Sequence, residues 1–326
     1  MSKRNLNKVQ KSAVESFGKP VLIFAGAGSG KTRVLTHKIA HLIDKDLVSA
    51  QNILAVTFTN KAAQEMRERV SKLLKNKNTS VNLGTFHSIC ARILRKEIHH
   101  LGYTADFSIF DVKDQVTLVK VVLEAMDIPK NYVTPQEVRH KISYFKNKLI
   151  HPDEAQSKAH LVIEKTYAEI YKNYQKALFE NNAVDFDDLL ILPLKLFEKN
   201  PKVLEKYRED WQYILVDEYQ DTNKPQFMLI KYLAGSHKQV CVVGDDDQSI
   251  YGWRGADIRN ILDFEKTFGN CEVFKLEKNY RSSGHILEAA SSVVKNNDNR
   301  APKELIAHND VGEKLGLIET HDEMEE

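Results

Sequence analysis

Cysteine is scarce in this sequence: Cys90, Cys241 and Cys271 are the three among 326 residues. They are widely separated and show no metal-ligand spacing, which argues against a thiolate metal site and fits reduced thiols inside a cytoplasmic protein. Long apolar runs are also missing. No stretch approaches the ~20 residues a bilayer-spanning helix requires, and the first seven residues lack the apolar core of a signal peptide. No membrane partner is expected. Nor is there an excess of one charge: 47 Lys and Arg against 45 Asp and Glu leave a net charge of +2. Any polyanion would have to be held by a local groove rather than by the field of the whole molecule. Internal repeats and low-complexity tracts are absent too. What remains is the composition of a soluble globular chain, long enough for two or more domains.

The most informative stretch present is residues 21–32. Val21-Leu22-Ile23-Phe24-Ala25 reads as a buried strand and Gly26-Ala27-Gly28-Ser29-Gly30 as a tight turn. Lys31-Thr32 then opens a helix patterned by Val34, Leu35, Ile39, Leu42 and Ile43. A strand, a glycine-rich turn ending in Lys-Thr and a helix form a phosphate cradle. Backbone N–H groups and the helix N-terminus face the phosphates. Lys31 would reach the outer phosphates and Thr32 would ligate magnesium. Ala25 stands where the general pattern has its first glycine. Ahead of this strand, Leu6 to Val14 reads as a short helix with Asn5 or Asn7 near its cap, and the Gln10 amide has the donor and acceptor to read an adenine edge.

Further strands follow in α/β order: Ile53–Thr57, then Phe58, Thr59 and Asn60; residues 81–86, then His87 and Ser88; Tyr213–Val216, then Asp217-Glu218; residues 240–243, then a loop from Gly244 to Ala256. Polar and aromatic residues at the carboxyl ends of such strands are where an open α/β sheet binds ligands. Phe58 could equally be core and Asn60 a helix cap, and a lone histidine such as His87 has structural uses as well as contact roles. Asp217 suits magnesium and Glu218 the orientation of an attacking water. Gln248 has the reach of a γ-phosphate. Tyr251, Trp253 and Arg254, flanked by glycines, suit base stacking. At residues 280–281, Tyr280 could stack on a base and Arg281 could pair with phosphate oxygens. A last short strand is expected at 315–318.

Between about Asp111 and Ala183 strand signals vanish and helical spacing takes over. Val116, Val119, Val122, Leu123 and Met126 form one apolar face, and Ile163, Tyr167, Ile170, Tyr174 and Leu178 another. Arg139, His140, Lys141 and Lys146 form a basic patch that either tracks a phosphate backbone or is a solvated helix face. Asp185, Asp187 and Asp188 around Phe186 are either a metal site or an acid-rich helix start.

Taken in order, LNKVQKSAV, AGAGSGKT, AVTFTNKAAQEM, GTFHS, VDFDDLL, LVDEYQDTN, VVGDDDQSIYGWRGA and LEKNYRSS resemble the superfamily 1A DNA helicases of the UvrD/Rep/PcrA type, from about Leu6 to the C-terminus. Ala25 is ordinary for that family. The resemblance implies an α/β fold: a RecA-like P-loop NTPase domain with a parallel sheet flanked by helices (1–110 and 184–276), an all-helical insertion (111–183) and the start of a second RecA-like domain (277–326). It implies ATP and Mg²⁺ as cofactors, with Ala25, Gly26, Ala27, Gly28, Ser29, Gly30, Lys31, Thr32 and Arg33 as the nucleotide cradle and Gln10 and Tyr280 at the adenine. Lys31, Asp217, Glu218, Gln248 and Arg281 would be catalytic, and Thr32 and Asp217 would hold the metal. Thr57, Phe58, Asn60, His87, Tyr251, Trp253 and Arg254 would line a single-stranded DNA track. The implied activity is ATP-driven 3′→5′ translocation in repair or replication, with single-stranded DNA, its junctions with duplex and further C-terminal domains as partners. The chain would then be the N-terminal part of a longer helicase, its later motifs lying elsewhere. Two other readings stay open: a P-loop nucleic-acid-binding or regulatory module without motor activity, and a P-loop kinase or transporter ATPase. The aromatic loop and the FTNKAA stretch disfavour the latter.

Overall fold

The computed structural model describes residues 6–75, 80–129, 131–235, 237–297 and 300–316. Two features of the sequence reading, half of the Asn-rich turn at 296–299 and half of the strand at 315–318, lie outside these residues.

Six short apolar segments form one parallel sheet. Across it the strands run Asn82–Thr85, Ile53–Thr57, Tyr213–Val216, Val240–Gly244, Val21–Ala25 and Glu272–Leu276. Parallel strands need crossover connections, and these place helices on both faces. Alternate residues of each strand therefore enter two separate cores. Leu22, Phe24, Leu54, Val56, Ile214, Val216, Val240 and Val242 face one. Val21, Ile23, Ala25, Ile53, Ala55, Tyr213, Leu215, Cys241 and Val243 face the other. Cys90 and Cys241 are buried and Cys271 half-buried, all as free thiols.

The second core is closed by the helices Lys8–Glu15, Lys31–Asp44 and Asn60–Leu74, and the first by Phe86–Glu97, Phe186–Lys199, Pro201–Asp210 and Lys224–Ala234. The first helix begins one residue after Asn7, whose side chain accepts from the Gln10 N–H while the Gln10 side chain accepts from the Asn7 N–H. That reciprocal cap is why the helix starts there.

Residues 112–180 leave the sheet and form the helices Val112–Ala125, Pro135–Asn147, Pro152–Lys158 and Val162–Glu180, with a core of their own. Its buried side includes Leu118, Val119, Val122 and Leu123, so Leu118 replaces the expected Val116. Ile170, Tyr174 and Leu178 are buried as the spacing indicates, with Ile163 and Tyr167 packed at the margin. The two ends of this excursion are joined by Ser108–Phe110 pairing in parallel with Ala183–Asp185, a ladder the sequence did not announce because each strand is three residues long.

Beneath the excursion lies an ion cluster. Lys146 Nζ is 2.6 Å from Asp185 Oδ2 and 2.8 Å from Asp188 Oδ1, with all three side chains buried. The Tyr174 hydroxyl donates to Asp185 at 3.0 Å. The acids are therefore neither a metal site nor merely helix-dipole partners. Asp185 caps the helix Phe186–Lys199 and shares the lysine with Asp188. Lys146 is consequently removed from the basic patch proposed on sequence grounds: its charge is spent indoors.

Candidate functional site

Every strand of the sheet runs the same way, so the loops leaving the carboxyl ends gather along one edge. Among the described residues, two of the cavities along this edge hold the side chains singled out in the sequence.

The first, of about 380 Å³, is lined by Gly26 to Arg33 together with Arg69, Glu218, Gln248, Tyr280 and Arg281. The turn that forms its floor requires glycine. Gly28 has φ +66° and Gly30 φ +92°, a region costly for residues with a Cβ. A Cβ on Gly28 would also lie 2.6 Å from the Arg281 Cβ. Ser29 turns inward, its hydroxyl donating to the Gly26 carbonyl at 2.7 Å. Ala25 does not line this cavity: it is the last residue of its strand, paired with Leu276 and fully buried. Its expected place in the cradle is thus corrected to a core position.

Lys31 Nζ lies 3.2 Å from Glu218 Oε2, so the cation at the cradle and the carboxylate opposite already share one charge interaction. Glu218 has φ +49°, which aims its side chain out of the strand line. Asp217 behind it is buried, its amide donating to the Val56 carbonyl and its Oδ1 accepting from the Glu218 N–H at 3.0 Å. Burial, reinforced by the Glu218 charge, pushes the Asp217 carboxyl up to about 7. A buried acid so destabilised as an anion suits a hard divalent cation, which supplies the missing positive charge and takes oxygen ligands.

Gln10 departs from expectation. It is buried, its Nε2 donates to the Ser29 carbonyl at 2.9 Å and its Oε1 accepts from the Asn7 N–H at 3.0 Å. One end of the amide braces the turn and the other closes the helix cap at Asn7, and the side chain is not among those lining the cavity. Tyr280 does line it, its hydroxyl accepting from Asn7 Nδ2 at 3.0 Å and its ring edge-on to His308.

Sequence reasoning missed three residues here. Arg69, an exposed residue of the helix Asn60–Leu74 that the sequence reading did not single out, reaches the cavity. Asn279 is buried; its Nδ2 donates to the Ala27 carbonyl at 2.7 Å while its Oδ1 accepts from the Arg281 and Ser282 N–H groups. It thereby fastens residues 277–282 to the cradle. Gln220 donates to Glu218 Oε2 at 3.0 Å and accepts from the Asp245 N–H at 3.0 Å. Its place in the Asp-Glu-x-x-Asp run is the one signal that could have flagged it.

The second cavity, of about 740 Å³, lies between the loop Tyr251–Gly255, the strand end at Thr57 to Thr59, the helix start at Thr85 to His87 and the helix Pro135–Asn147. Phe58 and Tyr251 stack with centroids 5.8 Å apart, and Trp253 is tilted against Tyr251 at 6.4 Å. Arg254 sits 4.6 Å over the Trp253 ring. Trp253 is 75% exposed, a costly place for an indole unless it meets a partner. His87 packs against Phe186, itself half exposed, and burial lowers its pKa, favouring the neutral ring. Thr57 is buried, its hydroxyl donating to the Thr59 carbonyl. Arg139, His140 and Tyr144 reach the cavity from the insertion. Asn60 does not: it is the exposed first residue of its helix, and Thr59, accepting from the Ala62 N–H, is the cap.

A parallel sheet of this strand order, with a glycine-rich Lys-Thr turn after the strand Val21–Ala25 and Asp-Glu after the strand two places across the sheet, is the RecA-like arrangement. Residues 6–269 match the UvrD/REP helicase N-terminal domain and residues 274–326 the UvrD-like helicase C-terminal domain. The chain belongs to the UvrD/REP helicase family. It is 48% identical over 321 residues to the ATP-dependent DNA helicase PcrA of Bacillus subtilis, covering 98% of this chain and 43% of that protein. It is 49% identical over 322 residues to the protein of the same name from Staphylococcus aureus, covering 99% and 44%. The chain thus spans under half the length of the curated relatives it matches. No helix among the described residues is long and apolar enough to cross a membrane.

Proposed function

We propose that this chain is the motor portion of an ATP-dependent DNA helicase, built from a RecA-like domain (1–110 and 184–276), a helical insertion (111–183) and the beginning of a second RecA-like domain (277–326). ATP occupies the cavity above Gly26–Thr32, and single-stranded DNA crosses the aromatic cavity, moving 3′→5′. The observation that carries this reading is the loop after the strand Val240–Gly244. Its Gln248 lines the first cavity and its Tyr251, Trp253 and Arg254 line the second. One short segment therefore touches both ligands.

Magnesium would be held by Thr32 and Asp217 and would supply charge neutralisation between the β- and γ-phosphates. A γ-phosphate entering the cradle would take over Lys31 from Glu218. Released from that pair, Glu218 holds and polarises the attacking water, while Arg281 pairs with the developing charge on the phosphoryl oxygens. In the second cavity the rings of Phe58, Tyr251 and Trp253 stack on bases without regard to sequence, and Arg139 and Arg254 meet the backbone.

DNA-stimulated ATP hydrolysis, measured with oligo-dT and with Lys31→Ala as control, tests the reading. Hydrolysis that Lys31→Ala leaves unchanged, or ATP binding with no measurable affinity for oligo-dT, would sink it.

A further inference from the structure

Lys303 is not among the residues given a role at either cavity, yet it pairs with three carboxylates at this edge of the sheet. Its side chain is 1% exposed. Its Nζ stands 3.0 Å from Asp245 Oδ1, 2.8 Å from Asp247 Oδ2 and within hydrogen-bond contact of Asp246 Oδ1. Arg300 adds a two-pronged contact, Nε to Asp247 Oδ1 at 3.0 Å and Nη2 to Asp247 Oδ2 at 2.8 Å. The Ala301 N–H donates to Asp246 Oδ2. Three adjacent buried carboxylates repel one another, so without these cations the loop could not hold its shape.

Both ends of this clamp lead to sites already described. On one side Asp245 accepts from the side-chain amide of Gln248, and the loop continues through Ser249, whose hydroxyl donates to the Gln220 carbonyl, to the aromatic residues. On the other side Ile306 and Ala307 pair with Lys278 and Asn279, the residues directly before Tyr280 and Arg281. The Asn279 side chain is fastened to the cradle.

We infer that Lys303 is a positioning residue that couples the two cavities: it locks the Asp245–Asp247 loop to the segment carrying Arg281, so that a shift at the nucleotide is passed to Trp253. The inference rests on the proposed function and adds a route by which nucleotide is felt at the aromatic loop. It requires no contact between Lys303 and either ligand. The lysine acts through the shape of the loop.

The chain contains two tryptophans, and Trp211 is buried, so acrylamide quenching reports mainly on Trp253. Quenching is to be measured on the whole 326-residue chain with and without Mg·AMP-PNP, alongside calorimetric binding of the same analogue. The expected result is that the analogue alters quenching in the unsubstituted chain, that Lys303→Met still binds the analogue but loses this change, and that Lys303→Arg keeps it. Should Lys303→Met fail to fold, Lys303→Met with Asp247→Asn lowers the charge imbalance and is expected to fold, bind and show the same loss. An analogue-dependent change that persists undiminished in the Met variants overturns the inference, as does its absence from the unsubstituted chain despite binding. If Mg·AMP-PNP binds to none of these proteins, the proposed function fails and the inference with it.

Discussion

At the scale of single residues, the cavity proposed for the nucleotide depends on shape as much as on charge. Gly30→Ala would place a Cβ at φ +92° and 3.0 Å from Gln10 Nε2. The left-handed backbone costs about 1–2 kcal/mol, and the amide that braces the turn is pushed aside. Calorimetry with Mg·AMP-PNP is expected to show weakened binding with little change in helical content. Lys31→Ala removes a cation from the phosphates and is expected to lower DNA-stimulated hydrolysis on the order of 10²–10³, the range for losing one preorganised charge-stabilising group. Trp253→Ala is expected to cost about 1–3 kcal/mol of oligo-dT affinity, the worth of one base stacked on a ring. Titration of a fluorescent oligonucleotide measures it, and thermal melting should be unaffected because the indole is exposed.

At the scale of elements, the helical insertion is seated through the cluster of Lys146, Asp185 and Asp188. Removing the lysine leaves two buried acids unpaired, and broken buried pairs cost about 3–5 kcal/mol. Lys146→Met is expected to lower the melting temperature sharply, and Lys146→Met with Asp185→Asn and Asp188→Asn to recover much of it, since asparagine still caps the helix at 185. Circular dichroism against temperature decides between them. The junction also has a functional side. Asn147, next to Lys146, donates to Asp187 at 3.0 Å and accepts from Asn223 at 2.7 Å, so the insertion is tied to the residues that follow the Asp-Glu pair. These contacts join segments far apart in sequence, which is why a charge count along one helix read Lys146 as surface.

At the scale of the whole molecule, near-neutral net charge means that the proposed DNA affinity would have to come from a local groove such as the second cavity with its Arg139 and Arg254. Oligo-dT binding is expected to weaken linearly on a log–log plot as salt rises, by roughly 0.7 for each phosphate contacted on a single strand. A slope near zero would contradict a DNA track in that cavity. Stepping requires two units that close and reopen. The 326-residue polypeptide, which spans under half the length of the relatives it matches, is expected to bind oligo-dT and nucleotide, and a strand-displacement assay tests whether it also separates duplex.

Much of this was legible in the residues themselves. A run such as VLIFAGAGSGKT carries its own geometry, because strand, left-handed turn and helix start are local and each is fixed by the residues within it. The same holds for the strand followed by Asp217-Glu218 and for the helices of the insertion, whose spacing marks their buried sides except that Leu118 takes the place of Val116 and Met126, Ile163 and Tyr167 pack at the margin. Tertiary structure alone decided the partners of polar side chains. That Gln10 braces the turn, that Lys146 is buried, that Thr59 rather than Asn60 caps its helix while Asn60 stays outside the cavity, that Arg69 reaches the first cavity and that Gln220 and Asn279 hold residues lining it are all outcomes of distance in space. Apolar periodicity records which side of an element is dry. A hydrogen bond or ion pair between residues tens or hundreds of positions apart leaves no periodic trace, so only the folded chain shows where those charges and amides are used.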